Sequence, residues 1–308
     1  MVHGIMFHHF HSGSHPKRPG SISAKEFDEM IIFLQKRFDI LSPNEFEGRL
    51  LAGKLRDHET VLTFDDGLQS QLDIALPVLE AHEIQGLFSV YTSVFSREPD
   101  PLEIFGAYRS DFFESFVDFW GHFRSHLEDR EPQVLESLGT NYPEDYLSLF
   151  PFYVREERQF RFVRDEILGP KRYQELMWVL ISDTPGFNID EVISSLWVTR
   201  EGLAHLVSRD HSIGLHSHSH PTRMDLLSLE AQAKEYETNK NWIEAELGVV
   251  PRFVAHPCGQ YSRETLEILK ELNVSVGFRS TLSDGPFGTL LEIPREDHAN
   301  IHRKMVSS

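Results

Sequence analysis

Covalent cross-links are ruled out from the start: the 308 residues include one cysteine, Cys258, so no disulfide can close within the chain. That usage suits a reducing compartment, and a cytoplasmic location is the expectation. Long apolar runs are missing as well. The longest that stands out, Leu176 to Ile181, is far short of the roughly 20 residues a membrane span needs, so no transmembrane segment is expected. The N-terminus, MVHGIMFHHFH, has neither the basic region nor the long apolar region of a secretory signal. Positive charge is scarce, with 30 Lys and Arg against 48 Asp and Glu and a net charge of −18. Such a surface repels polyanions except at a local basic patch, and nucleic acid is not an expected partner. Histidine, by contrast, is abundant: seventeen residues, several of them clustered.

Short apolar or β-branched runs recur at Gly4–Phe7, Thr60–Phe64, Gly86–Tyr91, Ser212–Leu215, Arg252–Ala255, Val274–Phe278 and Leu290–Ile293. They read as seven strands. Between them, Phe27, Met30, Ile31, Leu34 and Phe38 follow helical spacing after a Ser23/Glu26 capping box. Leu72, Ala75, Leu76 and Leu79 form a second stripe, and Leu266, Leu269 and Leu272 a third behind a Ser262 cap. Alternating strands and helices predict an α/β fold with a mainly parallel sheet, either barrel or doubly wound. From about Arg97 to Arg200 the alternation stops. Phe112, Phe116, Phe119, Trp120, Phe123 and Leu127, then Tyr173, Leu176, Met177, Leu180 and Ile181, recur at helical spacing. This predicts a helical insertion whose aromatic stripes form their own small core, and which serves as a cap or an oligomerisation element. Nothing marks a second independent domain, so residues 1–308 read as one domain.

Two constellations carry chemistry. TFDDG, Thr63 to Gly67, places Asp65 and Asp66 directly after a predicted strand. Adjacent carboxylates there point in different directions, so one can bind a metal while the other accepts a proton; the same residues also suit a plain turn. GLHSHSHP, Gly214 to Pro221, also follows a predicted strand. His216 and His220, four apart, can reach one ion, with His218 between them. Two histidines and one carboxylate fit catalytic zinc, and equally iron(II), cobalt or manganese.

In combination and order these motifs resemble the polysaccharide deacetylase family, the NodB-homology domain of carbohydrate esterase family 4. The resemblance covers residues 1–96 and 201–302. It implies a distorted (β/α)7 barrel, with Asp65 as catalytic base and Asp66, His216 and His220 as ligands of one divalent ion, zinc first and Co2+, Mn2+, Fe2+ or Ni2+ as alternatives. Ser217 would fix the ligand loop. The third motif, FVAHPCG, Phe253 to Gly259, has Cys258 where an aromatic is common. Its backbone N–H would be the oxyanion donor, and its side chain reads as small, buried and not nucleophilic. EIPRED resembles the ending of the branch with a YPxG-like third motif, so Arg295 is expected to approach Asp65, with His298, then His302, as catalytic acid. IMFHHF resembles the segment that opens the same branch and puts His8 at the end of the first strand, facing the site.

The resemblance implies removal of an N-acetyl, formyl or other N-acyl group from a carbohydrate. A cytoplasmic location favours a nucleotide- or lipid-linked amino sugar of glycan assembly, with possible contact at a membrane surface for a lipid-linked form. Two rivals are a phosphoesterase or amidohydrolase using the pairs His9/His11 and His216/His218, and a catalytically inactive carbohydrate-binding protein on the same barrel.

Overall fold

The computed structural model describes residues 3–18, 20–96, 98–147, 154–282 and 288–307. Arg97, the expected start of the helical stretch, and the chain ends Met1 and Ser308 lie outside them. Two compact units emerge, Met1–Asp100 with Ser194–Ser308, and Pro101–Ile193.

The first unit is a nearly closed parallel barrel. Its strands are β1 (Gly4–Phe7), β2 (Leu62–Phe64), β3 (Leu87–Val90), β4 (Ser212–Leu215), β5 (Phe253–Ala255), β6 (Val276–Phe278) and β7 (Arg295–Asp297), in the order β6-β5-β4-β3-β2-β1-β7. All described pairings in this sheet are parallel, as expected when helices carry the chain back between strands. The gap between β6 and β7 is laced by Ile293, whose N–H donates to Gly277 O (2.8 Å) and whose carbonyl accepts from Arg279 N (2.9 Å). The helix Ala24–Gln35 shows why the outer layer forms: Ser23 and Glu26 close a reciprocal cap, and Phe27, Met30, Ile31 and Leu34 bury one face. Each such side chain contributes roughly 1.5–3 kcal/mol by leaving water.

Two expected strands are corrected. Thr60–Phe64 divides, because Glu59–Thr60 pairs with Asp39–Ile40 in a separate two-stranded sheet and only Leu62–Phe64 joins the barrel. Leu290–Ile293 is not the seventh strand; it contributes one bridge, Ile293 to Phe278. The seventh strand begins beyond Pro294, and its charged residues hid it from an apolar pattern. Arg295 and Glu296 are buried because each is paired, with Asp65 and Lys304 respectively.

The second unit is helical, with Phe116–Arg130 and Gly169–Asp183 as its longest elements. Its expected aromatic stripes do form a core of their own. Phe119, Phe123, Phe160 and Tyr173 are buried, and the Phe119 and Phe160 rings meet edge to face at 5.3 Å. Phe112 alone among the stripe residues remains exposed. Among the described residues no helix is long and apolar enough to cross a membrane.

Candidate active site

The barrel's register delivers the chemistry to one end. His8 follows β1, Asp65 and Asp66 follow β2, His216 follows β4, and His256 to Gly259 follow β5. This is the C-terminal face, where parallel barrels build their sites because loops there can vary without disturbing strand pairing.

Asp66, His216 and His220 converge. Asp66 Oδ1 lies 3.2 Å from His216 Nε2 and 3.5 Å from His220 Nε2. The other ring nitrogen of each histidine is engaged: His216 Nδ1 with Ala255 O and His220 Nδ1 with Asp100 Oδ2, both at 2.8 Å. A carbonyl and a carboxylate only accept, so in the neutral rings the proton sits on Nδ1 and each Nε2 presents a lone pair. Asp66 Oδ1 is itself buried without a hydrogen-bond partner. Three electron-pair donors thus face one point, an arrangement that a cation relieves and that fits a zinc-type centre with two imidazoles and one carboxylate.

Beside them, Arg295 clamps Asp65 through both oxygens, at 2.8 and 2.7 Å. Asp65 is 2 % exposed and Arg295 0 %. Arg295 also donates to Arg279 O and Thr63 Oγ1, so four of its five N–H donors are engaged. Burial would push the Asp65 carboxyl up, but Arg295, with His216 and His8, outweighs it and holds Asp65 below the usual carboxylate range. The carboxylate is therefore fixed in direction and ionised.

The local backbone is unusual. Among the described residues eight other than glycine have positive φ, and four of them, Asp66, Ser217, His220 and Cys258, are site residues. Each such conformation costs roughly 1–3 kcal/mol unless its surroundings compensate. Gly67, at φ +61°, is required as well: a Cβ there would stand 2.9 Å from Val90 Cγ1.

The sequence model of the family described as polysaccharide deacetylase matches residues 186–277, which include the GLHSHSHP loop. That stretch is less than a third of the chain, and over it the chain is similar to the family. No curated protein matches it by sequence. Among solved structures it is similar to the Streptococcus pyogenes deacetylase PplD in complex with acetate, at 16% identity and TM-score 0.55 over 96% of this chain and 91% of that one. IcaB from Ammonifex degensii gives 17% and 0.55 over 96% and 90%. The BpsB deacetylase domain from Bordetella bronchiseptica gives 16% and 0.54 over 96% and 95%. At these identities the likeness is one of fold, and it agrees with the (β/α)7 barrel carrying a helical insertion.

The other expected site residues fall in different places. His8 Nε2 lies 3.8 Å from Asp65 Oδ2, with 30% of its side chain exposed. Burial holds its pKa below the ordinary histidine value. His298 is instead engaged elsewhere: its Nε2 meets Gly20 O at 2.8 Å and its ring stacks on Phe7. His302 is exposed on the terminal helix. His218 does not sit between the two ligand histidines; its Nδ1 pairs with Thr92 Oγ1 at 3.0 Å. With His218 turned aside, and with His11 on Ser21, the H-x-H pairs do not assemble. Cys258 is exposed and not buried as expected, since it occupies a left-handed turn between Pro257 and Gly259. Partial desolvation of its thiol, with Asp66, Asp100 and Asp65 nearby, pushes it up to about 11, so it stays a thiol at neutral pH.

A supporting layer had no motif to announce it. Asn239 accepts from His216 N (3.0 Å) and donates to Val90 O (3.0 Å), tying β4 to β3. One helical turn earlier, Glu235 accepts from His218 N, Ser219 N and Ser219 Oγ at 2.7–2.9 Å. Ser217 Oγ accepts from His220 N at 3.1 Å. Gln71 Nε2 donates to both His8 O (2.9 Å) and Asp65 O (2.5 Å), fastening the ends of β1 and β2 together. One sign was available: Gln232, Tyr236, Asn239 and Ile243 form the buried stripe of the helix Leu229–Leu247, with two amides in apolar positions.

Proposed function

We propose that the protein is a divalent-metal-dependent carbohydrate N-deacetylase that cleaves the N-acyl group of an amino sugar. The observation that carries this is the convergence of Asp66 Oδ1, His216 Nε2 and His220 Nε2 beside an arginine-clamped Asp65. When bound, the ion, zinc first among the candidates, supplies Lewis acidity toward the amide carbonyl and the attacking water. Asp65, ionised and oriented by Arg295, takes the water's proton. The Arg295 clamp favours this role over that of a plain turn, since a turn residue has no need of a buried bidentate arginine. The Cys258 backbone N–H stands as the oxyanion donor at the end of β5. His8 Nε2, near Asp65 Oδ2 and partly open to solvent, delivers a proton to the departing amine in place of His298. The products are an acid, acetate for an N-acetyl substrate, and a free amine.

The test is release of acetate or formate from N-acyl oligosaccharides, nucleotide sugars and lipid-linked sugars, with and without chelation and metal restoration. Metal-dependent release by the wild type, abolished in Asp65→Asn, supports the reading. Sugar binding without release from any of these substrates, whichever ion is supplied, would favour the inactive binding protein.

A further inference from the structure

The two imidazoles of the centre are not supported alike. His216 gives its Nδ1 proton to a neutral backbone carbonyl, while His220 faces a carboxylate, Asp100 Oδ2, at 2.8 Å. Asp100 is 5% exposed, and it lies 120 residues before its partner, in a stretch without any motif. Pro101 follows it, and the proline ring confines the Asp100 backbone to extended conformations. The carboxylate is thus presented from a stiff dipeptide, with little rotational freedom left to lose. A partner of this kind fixes which nitrogen carries the proton and raises the electron-donating power of the other. His220 needs such a brace more than His216 does. It stands in the left-handed region at φ +55°, beyond the end of its strand, whereas His216 directly follows β4.

Building on the reading that Asp66, His216 and His220 hold an ion, we propose that Asp100 is a positioning residue of that centre. Its carboxylate locks His220 with Nε2 bare and makes it the stronger imidazole donor. Retention of the ion then depends on the last residue of the barrel unit before the chain enters the helical unit, a position outside both metal motifs.

The experiment strips the full-length protein with a chelator and titrates it with Co2+ and Zn2+ against a chromophoric competitor. Asp100→Ala is expected to weaken affinity about 10- to 100-fold and to change the Co2+ absorption spectrum. The melting temperature of the ion-free protein should stay close to that of the wild type, which separates positioning from a structural role. Asp100→Asn keeps an acceptor oxygen and loses the charge, so its affinity should fall between the two. If the alanine variant fails to fold, the asparagine variant decides, since a wild-type affinity and spectrum would overturn the assignment. Wild-type affinity in both variants, with the ion still lost in His220→Ala, overturns the role of Asp100 alone. A wild-type protein that takes up neither ion overturns this inference together with the reading beneath it.

Discussion

The barrel and the helical unit solve the same packing problem with different materials. In the helical unit, aromatic rings meet edge to face around Phe160, and few polar side chains are buried among them, as where Tyr108 Oη meets Thr184 Oγ1 at 2.7 Å. In the barrel, the strand ends bury Asp65, Asp66, His216 and Arg295 side by side and hold several neighbours in left-handed backbone. Among the described residues, both groupings of His, Asp and Glu close enough to share an ion belong to the barrel unit. A core that only has to be stable can be built from interchangeable rings; a site that has to act carries charges and strain that its surroundings must offset.

The sharpest way to break this contrast is at the carboxylates. Asp65→Asn should lower turnover by about 100- to 10,000-fold while metal content, measured by elemental analysis, stays at that of the wild type. His8→Ala should fall steeply as well, while His298→Ala retains most of its activity because that ring packs on Phe7 and binds a backbone carbonyl. Comparable losses in both histidine variants would remove His8 from the role given it here. In the helical unit, Phe119→Ala should cost about 3–5 kcal/mol in the unfolding of that unit and leave metal affinity unchanged. Calorimetry with parallel metal titration checks both halves of that expectation.

A pH effect of similar size belongs to the barrel. His256 is buried with its Nε2 on Leu291 O, and burial lowers its pKa to about 4. In the unfolded chain the ring regains a value near 6.5 and binds a proton that the folded state refuses. Its contribution is therefore fully present above pH 6.5 and is lost as pH falls toward 4, by roughly 3 kcal/mol in all. Denaturant titrations across that window should show a shallower decline for His256→Asn. The smallest expected effect is on the acid limb of activity. Removing the guanidinium in Arg295→Met should raise the Asp65 pKa and move that limb upward by about 1 unit or more.

The barrel's strands were readable where burial asked for Val, Ile, Leu and Phe, as at Ser212–Leu215, which the apolar pattern places to the residue. They were unreadable where burial was made tolerable by charge pairing, as at Arg295–Asp297. The convergence of Asp66 with His216 and His220 follows from two short motifs, because each sits at the end of its own strand. The braces do not: Asn239, Glu235 and Asp100 reach the site from 23, 17 and 120 residues away, and Gln71, though six residues after Asp65, lies outside its motif. His8 and His298 both follow barrel strands, and spacing alone offered no means of choosing between them; only their partners did.

The fastening of the His216–His220 loop also has a consequence for its motion. The backbone amides of His216, His218, Ser219 and His220 each donate to a side-chain oxygen, on Asn239, Glu235, Glu235 and Ser217. Loop amides ordinarily exchange with solvent deuterium almost freely, because local opening there costs little. These four should behave like strand amides and exchange slowly, and the exchange of His216, His218 and Ser219 should accelerate together when the helix Leu229–Leu247 loosens, since one face of that helix holds all three.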